Sequence, residues 1–243
     1  MLKKSLFALL LFTPAMAFAS AEDDIARIRP LLPAGHDVAQ IHENVLRGGD
    51  AREAIQAGAG NYVLRDLNGD GLEDLLVISE ENPTLQNWET NQPCEKLEYG
   101  TCDIAYGKRT MRFFTGTRDG GFTPVFANDG FVRGADEGGV FGDPLQGFQV
   151  RKNGTISYSV YGGSAWRWGY SEVIQFRKGQ LYVIGQDSET MWTGDLRSDT
   201  KSINLLTGEV KETHQKDGDA PVRTKRYRIN VKPLLLAKYK GQE

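Results

Sequence analysis

Apolar positions along the chain recur mostly with a period of two, in short runs separated by glycine, asparagine and aspartate. This is the spacing of β-strands with one buried face. The plainest case is GFQVRKNGTISYSVY, Gly147 to Tyr161, in which Phe148, Val150, Ile156, Tyr158 and Val160 alternate with polar residues on either side of Asn153-Gly154. That pair predicts a two-residue turn with positive φ at both positions, and the five apolar residues are expected on one buried face. Tyr170 to Phe176 and Gln180 to Ile184 repeat the device around Lys178-Gly179, and Met111 to Thr115 and Phe122 to Phe126 flank Arg118-Asp119-Gly120-Gly121. Ser202 to Leu206, Val210 to Thr213 and Arg223 to Val231 continue it, with turns at Thr207-Gly208 and Asp217-Gly218. The pattern predicts a mainly β fold, an antiparallel meander of hairpins in a sandwich-like or partial-propeller-like arrangement.

The N-terminal part differs. AEDDIARIRPLLP, Ala21 to Pro33, has apolar residues at Ile25, Ile28 and Leu31 and acids in its first turn, with Pro30 and Pro33 to end it, as in a short amphipathic helix. A second helical stretch is expected over Asp37 to Leu46, broken by Gly48 and Gly49, so the β fold carries one or two short N-terminal helices. Asn82 to Tyr106 is polar and without periodicity, which marks a loop excursion from the scaffold.

Residues Met1 to Ala21 carry Lys3 and Lys4, the apolar stretch Leu6 to Phe12, and small residues at Ala17, Ala19 and Ala21. This is the pattern of a secretory signal peptide with cleavage near residue 19 or 21. The apolar stretch is too short to span a bilayer core of about 30 Å. The remaining 22–243 are expected to form a single β-rich domain with the excursion at about 82–106, located in the periplasm or secreted. Removing Lys3 and Lys4 leaves 27 basic against 32 acidic residues, a formal charge of −5. Nucleic-acid binding needs clustered Lys and Arg and is not expected, nor is a membrane span in the mature chain. The two cysteines, Cys94 and Cys102, lie eight positions apart with no CxxC spacing and no nearby histidine. In an oxidising compartment they are expected to form a disulfide that closes a local loop.

The densest chemistry lies in NYVLRDLNGDGLEDLLVISE, Asn61 to Glu80, where Asp66, Asn68, Asp70 and Asp74 occupy the first, third, fifth and ninth positions of a loop with Gly71 at the sixth. Oxygen side chains at those positions wrap a hard cation, and Ca²⁺ suits such a cage better than Mg²⁺, which retains water. An EF-hand would place Glu at the twelfth position before a helix; here the twelfth residue is Val77, within Leu75 to Ile78, so a strand follows. The segment DLNGDGLEDLLVI resembles the calcium loops of FG-GAP and VCBS-type repeats, which sit in β-hairpins. That resemblance implies side-chain ligands from Asp66, Asn68, Asp70 and Asp74 and the backbone carbonyl of Leu72. Propeller blades repeat every 40 to 50 residues or so, yet this loop occurs once. Phe141 to Val210 is similar to the C-terminal half of exported bacterial proteins that carry one such loop, a family without an assigned activity.

A second cluster, Tyr161, Trp166, Trp168 and Tyr170, follows Gly162, Gly163 and Ser164 at one end, with Trp192 later. Trp166, Trp168 and Tyr170 share one side of a strand. Exposed, they and Trp192 form a candidate binding face for a glycan or a protein; buried, they are a core face with Arg167 pointing out. Catalysis has little support. His36, His42 and His214 lie in no pattern that assigns a role, and Asp136, Glu137 and Asp143 are acids near turn glycines, ordinary in loops. The sequence therefore points to an exported, calcium-stabilised, non-enzymatic β protein that binds a periplasmic partner, with a carbohydrate or cell-wall binding module or hydrolase using the Trp166/Trp168 face as the alternative.

Overall fold

The computed structural model describes residues 20–41, 60–87, 89–95 and 101–242. The signal segment, apart from Ser20 and Ala21, lies outside the described residues, as does the later part of the second expected helix. Helix α1, Ala21–Ile28, is capped by Ser20: the Ser20 hydroxyl accepts from the Asp23 N–H at 3.2 Å and the Asp23 carboxylate accepts from the Ser20 N–H at 3.1 Å. This reciprocal box satisfies two of the donors that a helix start leaves orphaned. Pro30 closes the helix through a single 3-10 turn, Arg29–Leu31. The second helix does not begin at Asp37. Strand β1, His36–Val38, takes those residues and pairs antiparallel with Ser79–Glu81, so the pairing partner overrides the helical spacing.

Two antiparallel sheets share one core. The first contains β1, β2 (Tyr62–Arg65), β3 (Asp74–Glu81), β6 (Arg109–Gly116) and β7 (Phe122–Asn128), ordered β1-β3-β6-β7 with β2 also on β3. The central strand β3 is buried on both faces, which its continuous run of apolar residues requires. Leu76 and Ile78 enter the main core, whereas Leu75 and Val77 pack with Ile28 of α1 and Phe114 in a smaller cluster. The second sheet is a meander of β8 (Leu145–Val150), β9 (Ile156–Gly163), β10 (Trp166–Arg177), β11 (Gln180–Trp192), β12 (Ser198–Asn204), β13 (Glu209–Gln215) and β14 (Arg223–Arg228), with β15 (Leu234–Leu235) also on β11. Its Phe148, Ile156, Tyr158, Ile174, Leu181 and Val183 meet Met111 and Phe113 of the first sheet. A separate two-stranded sheet, β4 (Thr84–Asn87) with β5 (Cys102–Ala105), projects from the first, and the Cys94–Cys102 disulfide is formed beside it. Among the described residues no helix is long and apolar enough to cross a membrane.

The turns discriminate between two Xaa-Gly pairs. Lys178 and Gly179 both have positive φ, 47° and 82°, as the tight β10–β11 connection demands. At Asn153-Gly154 only Gly154 does, at 81°. There the Arg151 carbonyl accepts from Gly154 N–H and the Arg151 N–H donates to Thr155, a longer turn with one left-handed glycine in place of the expected two-residue turn. Val150, expected in the core, sits at the end of β8 and is 40% exposed.

The loop between β7 and β8 is fastened by a buried ion pair. Arg109 on β6 donates from both terminal nitrogens to the Asp143 carboxylate, at 2.7 and 2.5 Å, and from Nη2 to the Gln40 carbonyl at 2.8 Å. Both side chains are essentially buried. The planar guanidinium matches the carboxylate in a two-point fork, so Asp143, weighed above as a catalytic acid, is held for structure.

Candidate functional site

The loop 66–74 joins β2 to β3, where Arg65 faces Asp74 across the ladder. Its acids are turned inward by main-chain donors. Asp66 accepts from Gly69 and Gly71 N–H at 2.6 and 2.9 Å, and these bonds hold its carboxyl below the usual carboxylate range. Gly69 and Gly71 have φ of 83° and 85°, which side-chain-bearing residues rarely adopt. Asp74 is fully buried; its Oδ2 accepts from Leu67 and Asn68 N–H, and its Oδ1 accepts from Gly116 N–H at the end of β6 at 3.0 Å. Asp70 Oδ2 and Asp74 Oδ1 converge on the Asn68 amide nitrogen, at 2.9 and 3.3 Å. The Leu72 N–H donates to Asp70. Each of these side chains carries an oxygen that suits a hard cation; as they lie, Asp70 and Asp74 meet at the Asn68 amide nitrogen and Asp66 is turned to the glycine N–H groups, and among the described residues no three acidic, histidine or cysteine side chains converge as a metal group.

Trp166, Trp168, Tyr170 and Trp192 do share one face of the β10–β11 hairpin, since Trp166 pairs with Trp192 and Trp168 with Thr190. The face is divided by burial. Trp168 and Tyr170 are half-buried against the core, stacked at 5.5 Å with Arg133 over both rings at 5.0 and 5.6 Å. Trp166 is 45% exposed and lies 5.3 Å from Trp192 at 52°, with Arg197 above both. Leu196 and Val222, 51% and 55% exposed, belong to the two loops at this same end, which a hydrogen bond from Gly218 N–H to the Asp195 carbonyl ties together. Arg167 points to the opposite face, over the Phe141 ring at 4.2 Å.

A third place was not anticipated. The same strand face continues from Tyr170 to Glu172, opposite Tyr158 on β9, where the second sheet is covered by residues 129–137 and 240–242 around a chamber of about 280 Å³. Glu172 is 2% exposed; its Oε1 accepts from Gln242 Nε2 at 3.2 Å and Tyr239 OH at 3.4 Å, and its Oε2 has no hydrogen-bond partner. Burial pushes its carboxyl up to about 7. The Tyr158 hydroxyl, also buried, makes no hydrogen bond of normal geometry, and burial with the nearby Glu172 raises its pKa. The available signal was a lone acid on the apolar side of β10, in the series Trp168, Tyr170, Glu172, Ile174.

The remaining candidate acids and bases do not assemble. His214 pairs with Asp199 across exposed strands, Nδ1 to Oδ1 at 2.8 Å, and Glu137 pairs with Arg133 at 3.3 Å. His36 lies on β1, 4.0 Å from Glu81, and His42 is outside the described residues. Comparison of the chain with protein-family models, with curated proteins and with solved structures finds no match.

Proposed function

We propose that this is an exported, calcium-stabilised, non-enzymatic β protein that holds a protein partner at the Trp166–Trp192 end of its second sheet. The observation that carries this reading is the exposed Trp166 packed on the half-buried Trp192 beneath Arg197, extended by the exposed Leu196 and Val222. Tryptophan and arginine are the residue types on which interface energy concentrates, and a rigid cross-strand pair loses little entropy on binding. A sugar ring needs a flat, open indole face. Here the rings are tilted by 52° and Arg197 lies over both, which favours a protein surface over a glycan.

Export is supported by the Met1 to Ala21 pattern and is compatible with the disulfide. Cleavage after Ala19 would keep the Ser20 cap of α1, whereas cleavage after Ala21 would remove it. The calcium reading rests on the FG-GAP and VCBS-like spacing and on the convergence of Asp70 and Asp74 on the Asn68 amide. Asp66, Asn68, Asp70 and Asp74, with the Leu72 carbonyl, are the residues that would hold the ion, and its role there is to tie β2 to β3.

The test sets affinity capture from periplasmic extract against sedimentation with cell-wall polymer. The wild-type protein is expected to retain a protein partner that the Trp166→Ala/Trp192→Ala variant binds at least tenfold more weakly, with an unchanged melting curve for the variant. Sedimentation with wall polymer without a protein partner would replace this reading with the carbohydrate one.

A further inference from the structure

The chamber between the second sheet, the 129–137 loop and the C-terminal residues is a site of a different kind from the Trp166–Trp192 pair, and it stands independently of the partner-binding reading. We propose that it binds a primary ammonium group on a short aliphatic chain, with Glu172 as the counter-ion and Tyr158 as a second acceptor. The chamber is lined by the acids Asp129, Glu137 and Glu172 and by the bases Arg133 and Lys240. Glu137 is paired with Arg133 at 3.3 Å, and Asp129, itself paired with Lys108 at 2.6 Å, also lies in the field of Lys240. Glu172 alone among these acids has no ion pair within 4 Å.

Hydrogen bonding gives the same answer. A buried carboxylate that accepts only two long bonds on one oxygen and none on the other leaves much of its desolvation cost uncompensated. Its raised pKa reports that deficit. An ammonium group brings three donors and a charge, and on displacing the Gln242 amide it meets a carboxylate whose Oε2 has no hydrogen-bond partner, beside the Tyr158 oxygen, which makes no side-chain hydrogen bond of normal geometry. The rings of Phe131, Tyr158 and Tyr170 line the same space, and aromatic faces favour a cation over an anion. A volume of about 280 Å³ accommodates an aliphatic chain of a few carbons, not a folded partner.

The Gln242 amide already donates to Glu172 Oε1 at 3.2 Å and so acts as a weak neutral substitute for the ligand. An incoming ammonium competes with it, and Gln242 is held there by bonds of 3.1 to 3.4 Å to Arg133, Glu172 and the Asp187 carbonyl.

The experiment is calorimetric titration of the full chain at pH 8 with n-butylammonium, with 1,5-diaminopentane, with a short lysine-containing peptide, and with n-butanol as the uncharged control. Saturable binding of the ammonium probes without binding of butanol is expected. The diamine and peptide arms separate a free amine from a lysine side chain as the natural source. Glu172→Gln should weaken binding at least tenfold, and Gln242→Ala, which removes the competing amide, should tighten it several-fold. The second variant keeps the test decisive if the first fails to fold. No binding of any ammonium probe, equal binding of butanol, or binding indifferent to both substitutions would overturn the proposal and leave the chamber a solvent-filled gap.

Discussion

At the scale of single residues the molecule contains two opposite solutions to buried charge. Arg109 and Asp143 answer one another with a two-point fork at 2.7 and 2.5 Å. Glu172 is almost as deeply buried, and burial lifts its pKa from 4.5 to about 7. The proton therefore binds the folded chain more tightly than the unfolded one. Glu172 contributes most favourably below about pH 4.5, and that contribution falls away as the pH rises through about 7, where the charge must be carried in the fold. The shift corresponds to about 3 kcal/mol. Glu172→Gln mimics the neutral acid at every pH, so the variant should melt close to wild type at pH 5 and roughly 6 to 10 °C above it at pH 8. Thermal melts of the two proteins across that range provide the check, and contributions from other titrating groups cancel in the difference. A gap that does not widen with pH would mean that Glu172 ionises without penalty.

At the scale of elements, what the sequence shows locally and what it hides divide along sequence separation. The Lys178-Gly179 turn and the buried strand Leu75 to Ile78 were legible because a few neighbouring residues determine them. Asp37 and Val38, the start of the second expected helix, are strand because their pairing depends on Ser79 and Glu80, some forty positions on. The Glu172 chamber was invisible for the same reason, being built from β9, β10, the 129–137 loop and the last residues of the chain. The 84–105 excursion lies between these cases. Among the described residues neither hydrophobic cluster contains a side chain from it, and its base is fixed where Glu81 N–H donates to the Lys108 carbonyl. Closing a loop of eight residues by the disulfide lowers chain entropy by an amount equivalent to about 2.5 kcal/mol. That stabilises the whole fold only if the hairpin stays formed after reduction. Because none of its described side chains joins either core, reduction should free it in the native and unfolded chain alike, and the effect should cancel. Reduced protein is therefore expected to melt within about 2 °C of the oxidised form while becoming sensitive to limited proteolysis within residues 84–105. A large loss of melting temperature on reduction would place the hairpin inside the cooperative unit.

At the scale of the whole molecule, the loop 66–74 is positioned so that anything bound there is felt throughout. It leads directly into β3, the strand whose two faces serve both cores. Its last acid, Asp74, accepts from Gly116 at the far end of β6, and the adjacent Glu73 pairs with Arg27 of α1 at 2.8 Å. An ion held by Asp66, Asn68, Asp70 and Asp74 would thus link α1, β2, β3 and β6. Such a ligand favours the folded chain, where the β2–β3 pairing sets Asp74 beside Asn68 and Asp70. At a hundred times its dissociation constant it would add about 2.7 kcal/mol, or roughly 5 to 10 °C of melting temperature for a chain of this size. Calcium is expected to produce that rise as a single cooperative shift, and chelation to reverse it. Asp70→Ala should abolish the response while leaving the calcium-free melt nearly unchanged, since the Asp70 side chain contacts only Asn68 and Leu72 within the loop. A melting curve that is the same with calcium and with chelator would reduce the loop to a hairpin connection whose acids serve the main-chain donors already bound to them.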